Sequence, residues 1–447
     1  MQNKSFIWRL PFLRPRFFAA GILICILFSL SFVLPWLYPI ALLLLAGLIL
    51  LLLVDIFLLW KGDIQLNRDA PPKLSNGDAN TIHIHLINNY TIPVLADIID
   101  ELPFQLQKRD LLLHAELNPP ANTMVSYTIT PTKRGEYSFG AVHAYIRTHW
   151  PGLAERHICN QQEYNTVPVY PSFLQMRYWQ LRMAPSRVHD PGIRQIRQTG
   201  HSMEFESIRN YFIGDDYRSI NWKATARTGT MMVNHYIDEK SQPVYCVISK
   251  SRTMKMPFAG MTLLDYAINS SLILCNTALQ KQDKAGLISF SHKIGAFVQA
   301  DDKPGHINRI METLYKEKTA FTETDYNQIS SSILRVLPRR SLLILFTNFE
   351  SAAAARNAMP AFRALAKKHL IIPVLFENDE IHTLATQKAQ SLQDVYSGTV
   401  AMQMLMEKRQ IITEFAHNGI QAILTKPQNL TPNVVNKYIE IKAQRIL

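Results

Sequence analysis

Cysteine is scarce. Cys25, Cys159, Cys246 and Cys275 are scattered over 447 residues, with no CxxC pair and no disulfide-like spacing. That excludes a disulfide scaffold and reads as reduced, structural thiols in a cytosolic body. Acidic residues are also in deficit: 35 Asp and Glu stand against 47 Lys and Arg, a formal charge of +12. The excess reads as a solvated basic surface plus charges that set membrane topology. Its functional reading is attraction to anionic headgroups or to an acidic partner. No nucleic-acid-binding motif accompanies these charges, so nucleic acid is not an expected partner. A glycine-rich loop running into a helix, as a phosphate cradle requires, is missing too.

What the chain has in quantity is apolar sequence before Trp60. Residues 17–34 and 40–60 are two runs, each close to the ~20 residues that cross a hydrocarbon core as a helix. Pro35-Trp36-Leu37-Tyr38-Pro39 breaks them and suits a turn at the far interface. Lys4, Arg9, Arg14 and Arg16 precede the first run, and Lys61 and Arg68 follow the second. The turn carries no charge, so both ends are expected on the cytoplasmic side. No small-x-small cleavage site follows the first run, which argues against a signal peptide. Asp55 interrupts the second run. The expectation is that it snorkels toward the interface; the alternative is a polar contact with a partner helix.

Beyond Trp60 the helical period stops. Residues 81–88 and 123–130 alternate apolar and polar, and 137–142 and 164–170 are further short strand candidates, punctuated by Pro, Gly and Asn. This predicts a small sandwich over residues 61–172, a spacer or interaction module beside the membrane. His83 and His85 share one strand face, with no third ligand nearby, and read as surface histidines. In residues 173–199, Arg177, Arg182, Arg187, Arg194 and Arg197 alternate with Tyr178, Trp179 and Met183. The reading is a linker whose arginines pair with Glu204, Glu206, Asp215 and Asp216.

Residues 200–240 are polar, aromatic and charged at once. Asp216 is placed to cap a short helix through Ala224 and Arg227, Gly229 ends it, and a strand follows from 230 to 237. Asp215, Asp216 and Lys223 permit a hydrolase reading, but neighbouring carboxylates in a turn seldom point the same way, and His201 and His235 have no evident nucleophile. A structural reading needs less: Arg209, Arg218 and Arg227 fork onto Asp215, Asp216 or Glu204, while Trp222 and Tyr211 wedge the helix against the next domain.

Glu204-Phe205, Arg209, Tyr211, Gly214-Asp215-Asp216, Arg218 and Ile220-Asn221-Trp222-Lys223-Ala224-Thr225-Ala226-Arg227 together resemble the signature of the domain-of-unknown-function-58 family. Arg134-Gly135-Glu136-Tyr137 with Phe139-Gly140, then Pro151-Gly152-Leu153, resembles the segment preceding it in that family. The resemblance implies a scaffold or adaptor working beside a MoxR-type AAA+ ATPase at a bacterial inner membrane.

From residue 241 strand and helix patterns alternate. Residues 244–248, 285–290, 342–346, 370–375 and 420–424 read as strands, with helices between, which predicts a doubly wound, mostly parallel sheet. Ligands of such a sheet sit at the carboxyl ends of its strands. There the chain resembles a von Willebrand factor A domain, in which a DxSxS loop and a later Asp help hold a divalent cation. Ser249 stands for the first Asp, Asn348 for the later one, and Lys250 adds positive charge. Ser251 and Thr253 keep the hydroxyls, and Thr322 or Thr324 supplies the remaining one. With both acids gone, no metal is expected; weak Mg²⁺ completed by a partner's carboxylate is the alternative.

The expectation is a membrane-anchored multidomain protein: a transmembrane hairpin (1–60), a β-sandwich-like module (61–172), a linker and signature (173–240) and a degenerate von Willebrand A-like α/β domain (241–447). Its role is binding other proteins without a cofactor. The alternatives are a hydrolase using Asp215, Asp216 and Lys223, or a structural envelope component.

Overall fold

In a computed structural model, residues 11–119, 122–160, 166–183, 203–212, 215–238, 242–388 and 391–444 are described. They form two units, Met1–Tyr170 and Pro171–Leu447.

The first unit begins with two apolar helices. Pro15–Leu30 stops earlier than its apolar run, at a turn sealed by Ser31 Oγ donating to Phe28 O at 2.6 Å. Pro35 then prevents its resumption. Leu37–Lys61 is long and apolar enough to cross a membrane; Pro15–Leu30 is a shorter apolar helix. The last third of the long helix has two different sides. Leu52, Ile56 and Leu59 join the core of the strands that follow, whereas Leu53, Val54, Phe57 and Trp60 stay exposed.

Asp55 lies on the docked side and is fully buried. Its carboxylate accepts from Thr148 Oγ1, from Leu153 N at 2.7 Å and from Ala154 N at 2.9 Å. It therefore neither snorkels nor waits for another helix; the chain's own strands supply the donors. The helix end is closed similarly. Leu59 O accepts from the Tyr90 hydroxyl and from Arg156 Nη1, both at 2.8 Å, and Gly62 O accepts from Arg156 Nη1 at 2.6 Å. These are carbonyls that the helix itself leaves without partners. On the other flank Phe12–Leu13 pairs antiparallel with Ala154 and Glu155, and Arg14 N donates to Leu153 O at 2.9 Å.

Alternation builds the sheets. One sheet orders Ile64–Asp69, Asn80–Asn88 and Asn122–Ile129; another orders Phe12–Leu13, Ala154–Asn160, Val142–Thr148, Val94–Asp100 and Leu112–Leu117. A third joins Leu74–Ser75, Thr166–Tyr170 and Gly135–Ser138. Ile82, Ile84 and Leu86 of the first meet Ala96, Ile98, Ala144 and Ile146 of the second in one core. Inside it Arg68 pairs with Asp100, their side chains 1% and 0% exposed, and Tyr127 donates its hydroxyl to the same carboxylate. Burial, reinforced by the Asp100 charge, pushes the Tyr127 hydroxyl pKa up. Arg68 is thus a core residue and not a topology-setting charge.

In the second unit six strands order Ile294–Asp301, Lys284–Phe290, Pro243–Ser249, Leu342–Phe346, Leu370–Phe376 and Ile423–Thr425. The first is an antiparallel edge and the rest are parallel. Side chains of the central strand divide between two cores, as a strand covered on both faces requires. Val244, Cys246 and Ile248 meet the helices Leu263–Gln280, His306–Lys316 and Leu430–Gln444. Tyr245 and Val247 meet Tyr326–Val336, Ala352–Ala366 and Leu392–His417. Within the expected linker, Phe173–Met183 is a helix, and Gln180 Nε2 donates to Asn276 Oδ1 at 3.0 Å. The signature forms an antiparallel pair, Met203–Asn210 with Met232–Asp238.

Replacing Asp55 with Leu removes one acceptor and strands the Leu153 and Ala154 amides. The expected cost is about 2–4 kcal/mol, with faster hydrogen exchange at those two amides. Unaltered exchange there would refute the docking role.

Candidate functional site

Two places hold the residues singled out from the sequence. The first is the crossing between the paired strands of the signature. Glu204 and Arg209 lie on Met203–Asn210, and Gly214 falls outside the described residues. Arg209 forks onto Asp215, Nη2 to Oδ1 at 2.7 Å and Nη1 to Oδ2 at 2.9 Å. The same carboxylate accepts from Phe212 N at 3.0 Å. Such bidentate charge-assisted pairs fix geometry as well as charge. Tyr211 N donates to Met231 O at 2.8 Å, holding the loop to its exit strand.

Asp216 caps a different element from the one expected. It accepts from Arg218 N at 3.0 Å and starts the single turn Tyr217–Ser219. The helix Trp222–Thr228 is capped by Asn221, whose Oδ1 accepts from Ala224 N at 3.0 Å, and it ends at Gly229 in the left-handed conformation (φ 71°). Thr225 Oγ1 donates to Asn221 O at 2.9 Å and accepts from Met232 N at 3.0 Å, stitching this helix to the second strand.

Trp222 does not wedge against another domain. It is 67% exposed, and Phe212 and Tyr217 are 66% and 69% exposed. Arg218, Lys223 and Arg227 are exposed as well, and among the described residues none of the three is in an ion pair. The guanidinium of Arg218 instead sits over the Tyr217 ring, 5.7 Å from its centroid. Of the expected arginine–carboxylate contacts, only Arg209 with Asp215 forms among the described side chains.

The second place is the carboxyl end of the parallel strands. Ser249 Oγ donates to Ser251 Oγ at 3.0 Å, Ser251 Oγ and Thr253 Oγ1 are 2.9 Å apart, and Thr253 Oγ1 donates to Asn348 O at 3.1 Å. This hydroxyl row closes on itself and on the next strand's backbone. Lys250 turns aside onto Glu317 at 2.8 Å, and Glu317 also accepts from Ser289 Oγ at 2.9 Å. Thr322 is exposed, and the Thr324 hydroxyl is buried without a hydrogen-bond partner among the described residues.

Lys408, from the helix Leu392–His417, reaches in and donates to Asn348 Oδ1 at 2.5 Å and to Phe349 O at 2.6 Å. Burial lowers its pKa to about 8, opposed by the nearby charge of Glu350. An ammonium held on Asn348 repels a divalent cation from that oxygen. Among the described residues no cluster of three or more His, Cys, Asp and Glu could hold a metal ion. Beside the lysine lies a cleft of about 290 Å³, walled by Met256, Phe258, Phe349, Phe376, Met404 and Leu405.

A family profile described as "Protein of unknown function DUF58" matches residues 207–422. Over residues 207–422 the chain is a member of the DUF58 family. That match runs from the signature through most of the six-stranded sheet and includes Lys408. No curated protein matches the chain. Among solved structures, the chain is similar to conserved hypothetical protein BatB from Bacteroides thetaiotaomicron, at 13% identity and a TM-score of 0.30, over 46% of this chain and 100% of that one. It is similar to the CARDB domain of the PF1109 protein from Pyrococcus furiosus, at 13% identity and a TM-score of 0.17, over 24% and 88%. Proximal thread matrix protein 1 of the mussel byssus matches at 8% identity and a TM-score of 0.25, over 44% and 45%. At these values none bears on what this DUF58 protein does.

Sequence reasoning about this DUF58 chain missed Lys408 and Asn221. Lys408 lies 60 positions from its acceptor Asn348, so no local pattern links them. Asn221 carries a cap signal three residues before Ala224, but the acidic Asp216 draws attention first.

Lys408 gives a pH signature. Its folded value of about 8 lies below the ordinary ~10.4 of lysine. Across that window the unfolded chain holds a proton that the folded chain has released, so stability rises with pH there. Denaturant titrations at about pH 7 and about pH 10 should show the wild type gaining on Lys408→Met; parallel behaviour of the two would contradict the burial argument.

Proposed function

We propose that this DUF58 protein is a membrane-anchored adaptor that binds other proteins through the outer surface of its signature, with a MoxR-type AAA+ ATPase as the partner. The observation that carries this reading is the division of labour inside the signature. Asp215 and Asp216 are engaged by the loop itself, while Phe212, Tyr217 and Trp222 stand in solvent. Aromatic and arginine side chains grouped on a surface are the composition of binding hot spots. The same engagement disfavours the hydrolase reading, since a general acid or base must be free to reach substrate. The choice of a MoxR-type ATPase rests on the family resemblance.

The two apolar helices cross a bacterial inner membrane as a hairpin in this reading, with the body on the cytoplasmic side. The uncharged turn and the flanking Lys4, Arg9, Arg14, Arg16 and Lys61 support that orientation. The C-terminal sheet is assigned to the von Willebrand A class. Its support is the strand order with one antiparallel edge and the Ser249–Ser251–Thr253 hydroxyl row at the end of the first parallel strand. Lys408 takes up the space beside Asn348 that a cation would need.

The test is co-purification of the full chain from detergent with a co-expressed MoxR-type ATPase. Tyr217→Ala with Trp222→Ala should weaken capture at least about tenfold and leave thermal unfolding unchanged, because both side chains are exposed. Arg218→Glu should act in the same direction. Capture at wild-type strength by both variants would overturn the assignment of the surface.

A further inference from the structure

The turn joining Val142–Thr148 to Ala154–Asn160 ends in Trp150, which is 73% exposed. Its position along the long apolar helix can be read from hydrogen bonds. Leu153 N and Ala154 N meet Asp55, and Arg156, two residues further on, meets Leu59 O and Gly62 O. Moving from 156 back to 153 therefore moves from the end of the helix toward its middle. Extending the same direction to Trp150 carries the turn past the level of Asp55, away from Lys61. Asp55 to Trp60 is already about 7 Å of helix.

From Asp55 back to Leu37, and over the 16 residues of Pro15–Leu30, each helix provides roughly 24–28 Å. This is close to the ~30 Å of a hydrocarbon core. The level of Asp55 is then the boundary of that core, and Arg14, whose amide bonds Leu153 O, sits at the same level. The turn is chemically fit for this depth. Pro151 has no amide hydrogen, Gly152 N donates to Thr148 Oγ1 at 3.2 Å, and the next two amides end on Asp55. Gly152 takes the left-handed conformation (φ 64°) that closes the turn. Satisfaction of these amides lowers the cost of leaving water. Phe12 and Leu13, on the strand paired with Ala154 and Glu155, are 48% and 41% exposed and extend the apolar rim.

We infer that the Trp150 turn is a third membrane contact, inserted at the boundary between headgroups and acyl chains beside the helical hairpin. Its ligand is the lipid bilayer itself. Tryptophan is the side chain best suited to that zone, with an apolar body and one polar N–H. The inference rests on the membrane-spanning reading of the helices, and the experiment separates the two.

The photoreactive residue p-benzoylphenylalanine is placed singly at 50, 150 or 104 in the full chain, in phosphatidylethanolamine–phosphatidylglycerol vesicles. After irradiation, lipid adducts are read by mass spectrometry. Leu50 is 64% exposed and lies between Leu37 and Asp55, and Phe104 is an 85% exposed residue of the same unit. Adducts at 50 and 150 but not 104 are the expected result. Adducts at 50 without any at 150 overturn the inference while leaving the span intact; adducts at neither position remove the span and the inference together. A milder check is the fluorescence difference between wild type and Trp150→Phe, which should be quenched by acyl-brominated lipid. An unquenched difference would count against insertion.

Discussion

A single carboxylate sets the geometry of the first unit. An acid inside an apolar helix is costly wherever it lacks donors, and the three donors of Asp55 all belong to one turn and its flanking residues. Because helical positions are set about 100° apart, no other rotation of the helix keeps those contacts. The same rotation brings Leu52, Ile56 and Leu59 onto the strands and leaves Leu53, Phe57 and Trp60 outside. Polar satisfaction chooses the docking face, and apolar burial supplies the driving force. Arg68 with Asp100 repeats the logic one layer deeper, where a fully enclosed ion pair joins two sheets.

In the second unit the charged residues serve shape before they serve chemistry. Arg209 and Asp215 close a loop, Asn221 and Gly229 bound a helix of seven residues, and Thr225 ties that helix to a strand. With the framework held from within, the aromatic and basic side chains of the outer surface are relieved of structural duty. At the strand ends the hydroxyls of Ser249, Ser251 and Thr253 bond one another.

Much of this was legible in advance. The apolar runs, the strands around His83 and Tyr127, and the alternating α/β pattern follow from periodicity, because each element is set by its own neighbours in sequence. Gly229 and the strand after it were likewise readable from local rules. What escaped was non-local. Ile64–Asp69, Val94–Asp100, Leu112–Leu117 and Ala154–Asn160 carry charged or polar residues that mask alternation, and Arg68 in particular passes for a flanking charge until its partner, 32 positions away, is known. Trp222 misled in the opposite sense: a large aromatic in a dense motif reads as a wedge, yet its position at the start of a short helix turns it outward. Asp216 and Asn221 are both good caps, and only the intervening single turn decides which helix each begins.

The lysine at the strand ends has a mechanical meaning. A dissolved ion comes and goes with its concentration, but this charge is tethered to a helix of 26 residues and can leave only if the helix moves. Sliding or tilting Leu392–His417 would withdraw the ammonium from Asn348 and Phe349 and open the strand ends together. Position of that helix and polarity at the top of the sheet are therefore one variable, with the covalent chain as its lever.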